Sequence, residues 1–260
     1  LVGGREGLAA PLCALLYDAR RLPRDLCTGY DQPYGTDVFR RVVAEQYWGL
    51  DAATGWGPAN VIACQGGRDA LVKAYDAVQV LGARRRGDFV LVSRVPWISY
   101  NWGPYSVGAN VMLAPGRDED AWTITPEGVA ASVEAAAGHG GRRVAMLVIT
   151  SPDNPTGAII SEDRQLELAR AAFAAGVGYV LFDWIYHRVT DREPYDLNRV
   201  RLALTPAERD RCIFLDGITK SLGASNIRNA HLVASAAAVK LIQSRASHAV
   251  IPSFHSQAVA

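Results

Sequence analysis

The 260-residue sequence predicts an α/β fold, a three-layer α-β-α sandwich around a mostly parallel sheet. Three observations predict it. Short apolar runs alternate with longer amphipathic stretches along the chain. The apolar runs are continuous, as strands buried on both faces must be. The stretches between them repeat their apolar residues at helical spacing.

The strand expectations, in order, are Val61–Cys64, Phe89–Ser93, Asn110–Leu113, Val144–Thr150, Tyr179–Asp183 and Cys212–Leu215. Helices are expected over Arg68–Leu81, Pro126–Ala137, Ser161–Ala174 and Ala236–Ser247. The first carries Ala70, Leu71, Ala74, Tyr75 and Val78 on one face. Ser161 followed by Arg164 is a plausible helix start with an incomplete capping box. Residues 1–50, rich in turn formers such as Gly29, Asp31, Pro33 and Gly35, read as an N-terminal arm, and 51–260 as the main domain. The chain starts at Leu1, and Ser253–Ala260 reads as the start of a helix, so the expectation is a piece of a longer protein.

Composition narrows the function classes. The formal net charge is +1 and the basic residues are scattered, which argues against a nucleic-acid or membrane-surface protein. Cys13, Cys27, Cys64 and Cys212 form no CxxC pair, so neither a zinc site nor a disulfide framework is expected. Cys64 and Cys212 lie in apolar runs and read as core. No stretch is long enough to span a bilayer and no secretory signal is visible, so the expected location is the cytoplasm.

Parallel sheets bind ligands beyond the carboxyl ends of their strands, so the residues just past each strand carry the functional reading. Gly66, Gly67 and Arg68 follow the first strand and open a helix. Glycines admit close backbone approach and a helix N-terminus attracts anions, which outlines a phosphate cradle, although such a pair is more often just a turn. Trp97 follows the second strand, placed either to stack on a flat ligand or to fill the rim. The rigid turn Ser151-Pro152-Asp153-Asn154-Pro155-Thr156-Gly157 follows the most apolar strand. Asp183, at the end of a buried strand, needs a partner such as a cationic ring nitrogen, a helix start or a salt bridge. Lys73, Lys220 and Lys240 are the lysines. Lys73 and Lys240 fall inside helices, where surface lysines are common; Lys220 alone falls at a strand exit, where a desolvated amine forms Schiff bases readily.

Together, Asn154-Pro155-Thr156-Gly157, the pair Asp183 and Tyr186, and Lys220 followed eight residues later by Arg228 resemble the class I/II aminotransferases, the fold-type I enzymes of pyridoxal 5′-phosphate. The resemblance runs from about Tyr30 to Ala260. It implies the large, cofactor-binding domain, with the smaller C-terminal domain missing. It implies that Lys220 holds the cofactor as an imine and acts as the general base. Asp183 would pair with the pyridinium nitrogen, Asn154 and Tyr186 with the ring oxygen, and Trp97 with the ring face. Gly66, Gly67, Arg68 and Arg228 would hold the phosphate, with Thr219 as an open candidate to replace a serine contact, and with Tyr30 reaching the phosphate of a neighbouring subunit in a homodimer. The implied reaction moves an amino group from an amino acid to a 2-oxo acid. Another pyridoxal-phosphate reaction (elimination, cyclisation, decarboxylation or oxidation) and a non-catalytic sensor domain stay open. The sequence departs from the family pattern at Gly217, where serine is usual, at Trp184, where an acidic residue is common, and at Asn229 and Ala230. His231 is also unusual. The substrate-carboxylate arginine is expected beyond Ala260.

Overall fold

The computed structural model describes residues 32–50, 55–81, 86–246 and 251–260. Among them run strands β1 (Val61–Cys64), β2 (Phe89–Val92), β3 (Asn110–Leu113), β4 (Val144–Thr150), β5 (Tyr179–Asp183), β6 (Cys212–Asp216) and β7 (Ala230–Ala234). The sheet order is β1-β7-β6-β5-β4-β2-β3. The pairs β2–β3, β2–β4 and β4–β5 are parallel, while β1–β7 is antiparallel. The α/β class with a mostly parallel sheet is therefore as the sequence predicts. β7 is the strand that the periodicity did not reveal: a histidine, His231, interrupts its apolar run.

The residues divide into two compact units. One comprises the described parts of Leu1–Ala70 together with Ile185–Pro194 and Leu215–Ala260. Its entry is the short helix Asp37–Arg41, capped where the Phe39 amide donates to Thr36 Oγ1 at 3.1 Å. A π-helical stretch, Val42–Tyr47, follows and buries Val43 and Ala44. Phe39, Trp48 and Leu50 are buried as well, so the described residues before Asp51 contribute core. The antiparallel register runs from Val61↔Val233 to Cys64↔Ala230. The C-terminal residues form a helix, Phe254–Val259, started by the side chain of Ser253.

The other unit comprises Leu71–Trp184 and Tyr195–Phe214. All seven residues of β4 are buried, which is why its sequence is uninterruptedly apolar. Its register with β5 ends on Thr150↔Asp183, bringing the two strand exits level. The helices Pro126–Gly138 and Glu162–Ala174 begin at the caps Thr125 and Ser161, whose hydroxyls accept from the Gly128 and Arg164 amides. The helix Gly67–Val80 starts in the first unit and continues into this one. Lys73 departs from expectation: it lies on this helix but is only 8 % exposed. Lys240 is exposed. Cys64 and Cys212 are buried free thiols. Among the described residues no helix is long and apolar enough to cross a membrane.

Candidate active site

In the second unit, Asp183 closes β5 and is 2 % exposed. A carboxylate this deep needs donors. The Tyr100 hydroxyl donates to its Oδ2 at 2.7 Å, and the Thr150 side chain hydrogen-bonds the same hydroxyl. Burial, reinforced by the negative charge of Asp183, pushes the Tyr100 phenol well above its ordinary range, so it remains a donor. Tyr75 is also fully buried near Asp183, and its hydroxyl has no hydrogen-bond partner. Trp97 caps the short helix Ile98–Trp102 and meets Tyr100 edge to face, with centroids 5.5 Å apart.

The turn after β4 is pinned from below. The Ser151 amide donates to the Asp183 carbonyl at 3.2 Å, and the Ile160 amide donates to Ser151 Oγ at 2.8 Å. Thr156 donates its hydroxyl to the buried Asp153 carboxylate at 2.7 Å. Burial raises the Asp153 carboxyl against that hydrogen bond. These anchors place Asn154 half-exposed at the tip, and the Ser151–Pro152 and Asn154–Pro155 peptides are cis.

In the first unit, Gly66 takes φ +82°, a conformation open to glycine but strained for other residues. The position its Cβ would fill lies 2.2 Å from the Arg228 guanidinium. Arg228 itself has φ +55° and donates to the carbonyls of Ser225 (2.8 Å) and Gln65 (3.4 Å). Its charge therefore sits over the Gly66-Gly67 turn, at the start of the helix that also carries Arg68. The Gln65 amide donates to Asp69 Oδ2 at 2.8 Å, closing that turn.

Lys220 lies on the helical turn Ile218–Ser221, just past β6. Its Nζ stands 5.4 Å from the centroid of the Tyr186 ring. The neighbouring Thr219 Oγ1 is buried and has no hydrogen-bond partner among the described residues. The expected cofactor residues thus fall into two groups: Trp97, Asn154 and Asp183 in the second unit, and Gly66, Gly67, Arg68, Tyr186, Thr219, Lys220 and Arg228 in the first. Tyr30 lies outside the described residues.

The residues of the first unit fit the phosphate end of pyridoxal 5′-phosphate. The unpartnered Thr219 hydroxyl is a buried donor awaiting an acceptor. Gly66 and Arg228 form a cationic cradle for an anion. A cavity of about 1070 Å³ in the first unit is a separate feature. It is walled by residues including Phe39, Val43, Tyr47, Ile218 and Leu222, and by none of the expected cofactor residues that the structure describes.

The departures from the family pattern have structural causes. A Cβ at Gly217 would lie 2.7 Å from both the Ala230 Cα and the Asn229 carbonyl oxygen, so β7 leaves no room for a serine there. Asn229 and Ala230 are buried, with Asn229 Nδ2 donating to the Ser256 carbonyl at 3.3 Å. Trp184 is fully buried, donates Nε1 to Gln165 Oε1 at 2.8 Å, and packs against Phe182, Tyr195 and Phe214. It is core, not site. His231 accepts from Trp48 Nε1 at 2.8 Å, and burial pushes it down to about 4. Tyr100 is the site residue that the sequence reading left without a role. Its spacing of three from Trp97 on a helix was the available signal.

The chain matches the family model for class I and II aminotransferases over residues 19–260. It is 26% identical to the aspartate aminotransferase of Geobacillus stearothermophilus over 222 residues, covering 85% of this chain and 52% of that one. It is 29% identical to the aspartate/prephenate aminotransferase of Thermus thermophilus over 186 residues, 70% of this chain and 44% of the other. A solved variant of a Thermus thermophilus aspartate aminotransferase superposes with TM-score 0.78 at 22% identity, covering 97% of this chain and 63% of its own. An aromatic aminotransferase from Pyrococcus horikoshii superposes with TM-score 0.77 at 18% identity, covering 100% of this chain and 65% of its own. The chain therefore spans about half the length of the curated relatives it matches. With the family model covering all but the first 18 residues, this chain belongs to the class I and II aminotransferase family.

Proposed function

We propose that this chain is the cofactor-binding part of a pyridoxal-phosphate-dependent aminotransferase that moves an amino group from an amino acid to a 2-oxo acid. One observation carries the reading: the Lys220 amine stands over the Tyr186 ring, next to a buried Thr219 hydroxyl that no group among the described residues satisfies.

Bound pyridoxal 5′-phosphate supplies an electron-poor ring that stabilises negative charge at the substrate Cα. The protein's part is to hold and to move protons. Asp183, kept in place by Tyr100, would accept a hydrogen bond from the ring nitrogen. Asn154 and Tyr186 would donate to the ring oxygen, and Trp97 would cover a ring face. Gly66, Gly67, Arg68, Thr219 and Arg228 would bind the phosphate. Lys220 Nζ would hold the cofactor and, as a free amine, would serve as the base that holds and returns the substrate Cα proton.

Several relatives are aspartate aminotransferases, which makes aspartate the first donor to try. The proposed assembly is a cytoplasmic homodimer in which Tyr30 of each subunit serves the other's phosphate.

The test uses the intact protein. Borohydride reduction should leave the cofactor attached to the peptide holding Lys220, and Lys220→Ala should abolish that adduct. An amino-acid panel, assayed for the matching 2-oxo acid, then identifies the donor. A reducible adduct that survives Lys220→Ala would overturn the assignment. A loaded protein that forms no 2-oxo acid from any donor would overturn transamination.

A further inference from the structure

Tyr186 and Lys220 belong to different segments. Lys220 follows β6; Tyr186 lies in the irregular turn after β5, closed by the Val189 amide donating to the Tyr186 carbonyl at 2.9 Å. A turn of this kind takes its position from side-chain anchors. The next residue, His187, supplies one. It points inward, is 2 % exposed, and meets Asp216 Oδ2 through its Nε2 at 2.9 Å. Asp216 is the last residue of β6, four before Lys220.

The pair is surrounded by groups that hold it. Tyr47 donates its hydroxyl to the same Oδ2 at 2.5 Å, and the Gly217 amide donates to Oδ1 at 2.6 Å. Trp48 stacks on the His187 ring at 5.6 Å and 28°, while its own Nε1 is held by His231. Outside, Arg188 covers the Tyr47 ring and donates Nε to its hydroxyl at 2.7 Å. The charged and titratable groups around the pair thus include Tyr47, Arg188 and His231. A buried carboxylate with three donors and a stacked imidazole has few ways to move.

We propose that His187 is a positioning residue: by clamping Asp216 it fixes the Tyr186 ring against the Lys220 amine and so sets the surroundings of the imine that this amine forms. The proposal rests on the reading of Lys220 as the cofactor-holding amine. Loss of the clamp frees the turn, lets Tyr186 drift, and changes the environment of Lys220 without removing either residue.

The experiment follows the visible band of the intact, pyridoxal-phosphate-loaded protein through a pH titration, which needs no substrate and no turnover. His187→Ala should shift the titration midpoint by about one pH unit, the size of effect that one lost close interaction produces. His187→Gln keeps an amide donor toward Asp216 and should restore most of the shift. Tyr47→Phe removes a different donor from the same carboxylate and should also displace the midpoint, so the test stands if His187→Ala does not fold. A loaded wild-type protein whose midpoint is unmoved in the folded variants overturns the clamp and leaves the role of Lys220 intact. A wild-type protein with no visible band overturns the role of Lys220, and the clamp with it.

Discussion

Tyr100 holds Asp183: its hydroxyl donates to Oδ2 at 2.7 Å, from a helix that starts three residues earlier at Trp97. Two expected contacts to one ring, a stacker and a carboxylate, are thereby coupled within a single unit. Tyr100→Phe leaves the buried carboxylate one donor short. The expected cost is about 2 kcal/mol of stability, with cofactor affinity falling about tenfold. Chemical denaturation and equilibrium dialysis of the cofactor check the two effects, and an unchanged dialysis constant would show that Asp183 does not depend on Tyr100.

Thr219→Val should separate the empty protein from the loaded one. The hydroxyl has no partner among the described residues, so its removal should leave cofactor-free stability unchanged or raise it by up to about 1 kcal/mol. Affinity for pyridoxal phosphate should drop about tenfold, because the phosphate loses a donor. Equal affinity in the two proteins rules Thr219 out as a phosphate ligand.

Gly217→Ser should not supply the missing serine contact. Its Cβ meets the backbone of β7, which cannot step aside as a flexible side chain could. A loss of about 2 kcal/mol is expected, with no gain in cofactor affinity. Urea midpoints measure the first, and tighter cofactor binding in the variant would refute the second.

Trp184→Phe distinguishes core from site. It removes the donor to Gln165 inside a packed aromatic cluster, so stability should fall by about 2 kcal/mol. Cofactor affinity and donor preference should stay as in the wild type. A changed donor preference, measured on the amino-acid panel, would return Trp184 to the substrate site.

His231 gives a pH dependence with a definite sign. Its ordinary value is 6.5, and burial lowers it to about 4 in the folded chain. Between those values the unfolded chain binds the proton and the folded one does not. Its contribution to stability is therefore complete above the unfolded value and is lost as pH falls toward 4, a change of about 3 kcal/mol. His231→Gln keeps an acceptor for Trp48 and removes the titration. The difference in stability between the two proteins should be flat above pH 7 and slope below it; a difference independent of pH down to 4 would contradict the assignment.

Much of this protein is legible in one dimension. Val144–Thr150 and Tyr179–Asp183 are strands because an unbroken apolar run bounded by turn residues has nowhere to go but the middle of a sheet. The residues past those strands could be read for chemistry because parallel topology collects strand ends. Lys220 stood out among three lysines by position before its surroundings were known. Three things needed the tertiary structure. β7 pairs with β1 across more than 160 residues, and no local pattern records so distant a partner. The start of β7, at Asn229 and Ala230, is also what excludes a side chain at Gly217. Trp184 and His231 looked like departures in the site; both are buried structural groups, because which way a side chain points depends on what packs over it. The sequence alone determined the family and pointed to the proposed cofactor contacts, since strand ends and motif spacing are local. Only the fold decided that Tyr100 holds Asp183 and that His187 clamps Asp216, because hydrogen bonds between residues 83 and 29 positions apart exist only once the chain has closed on itself.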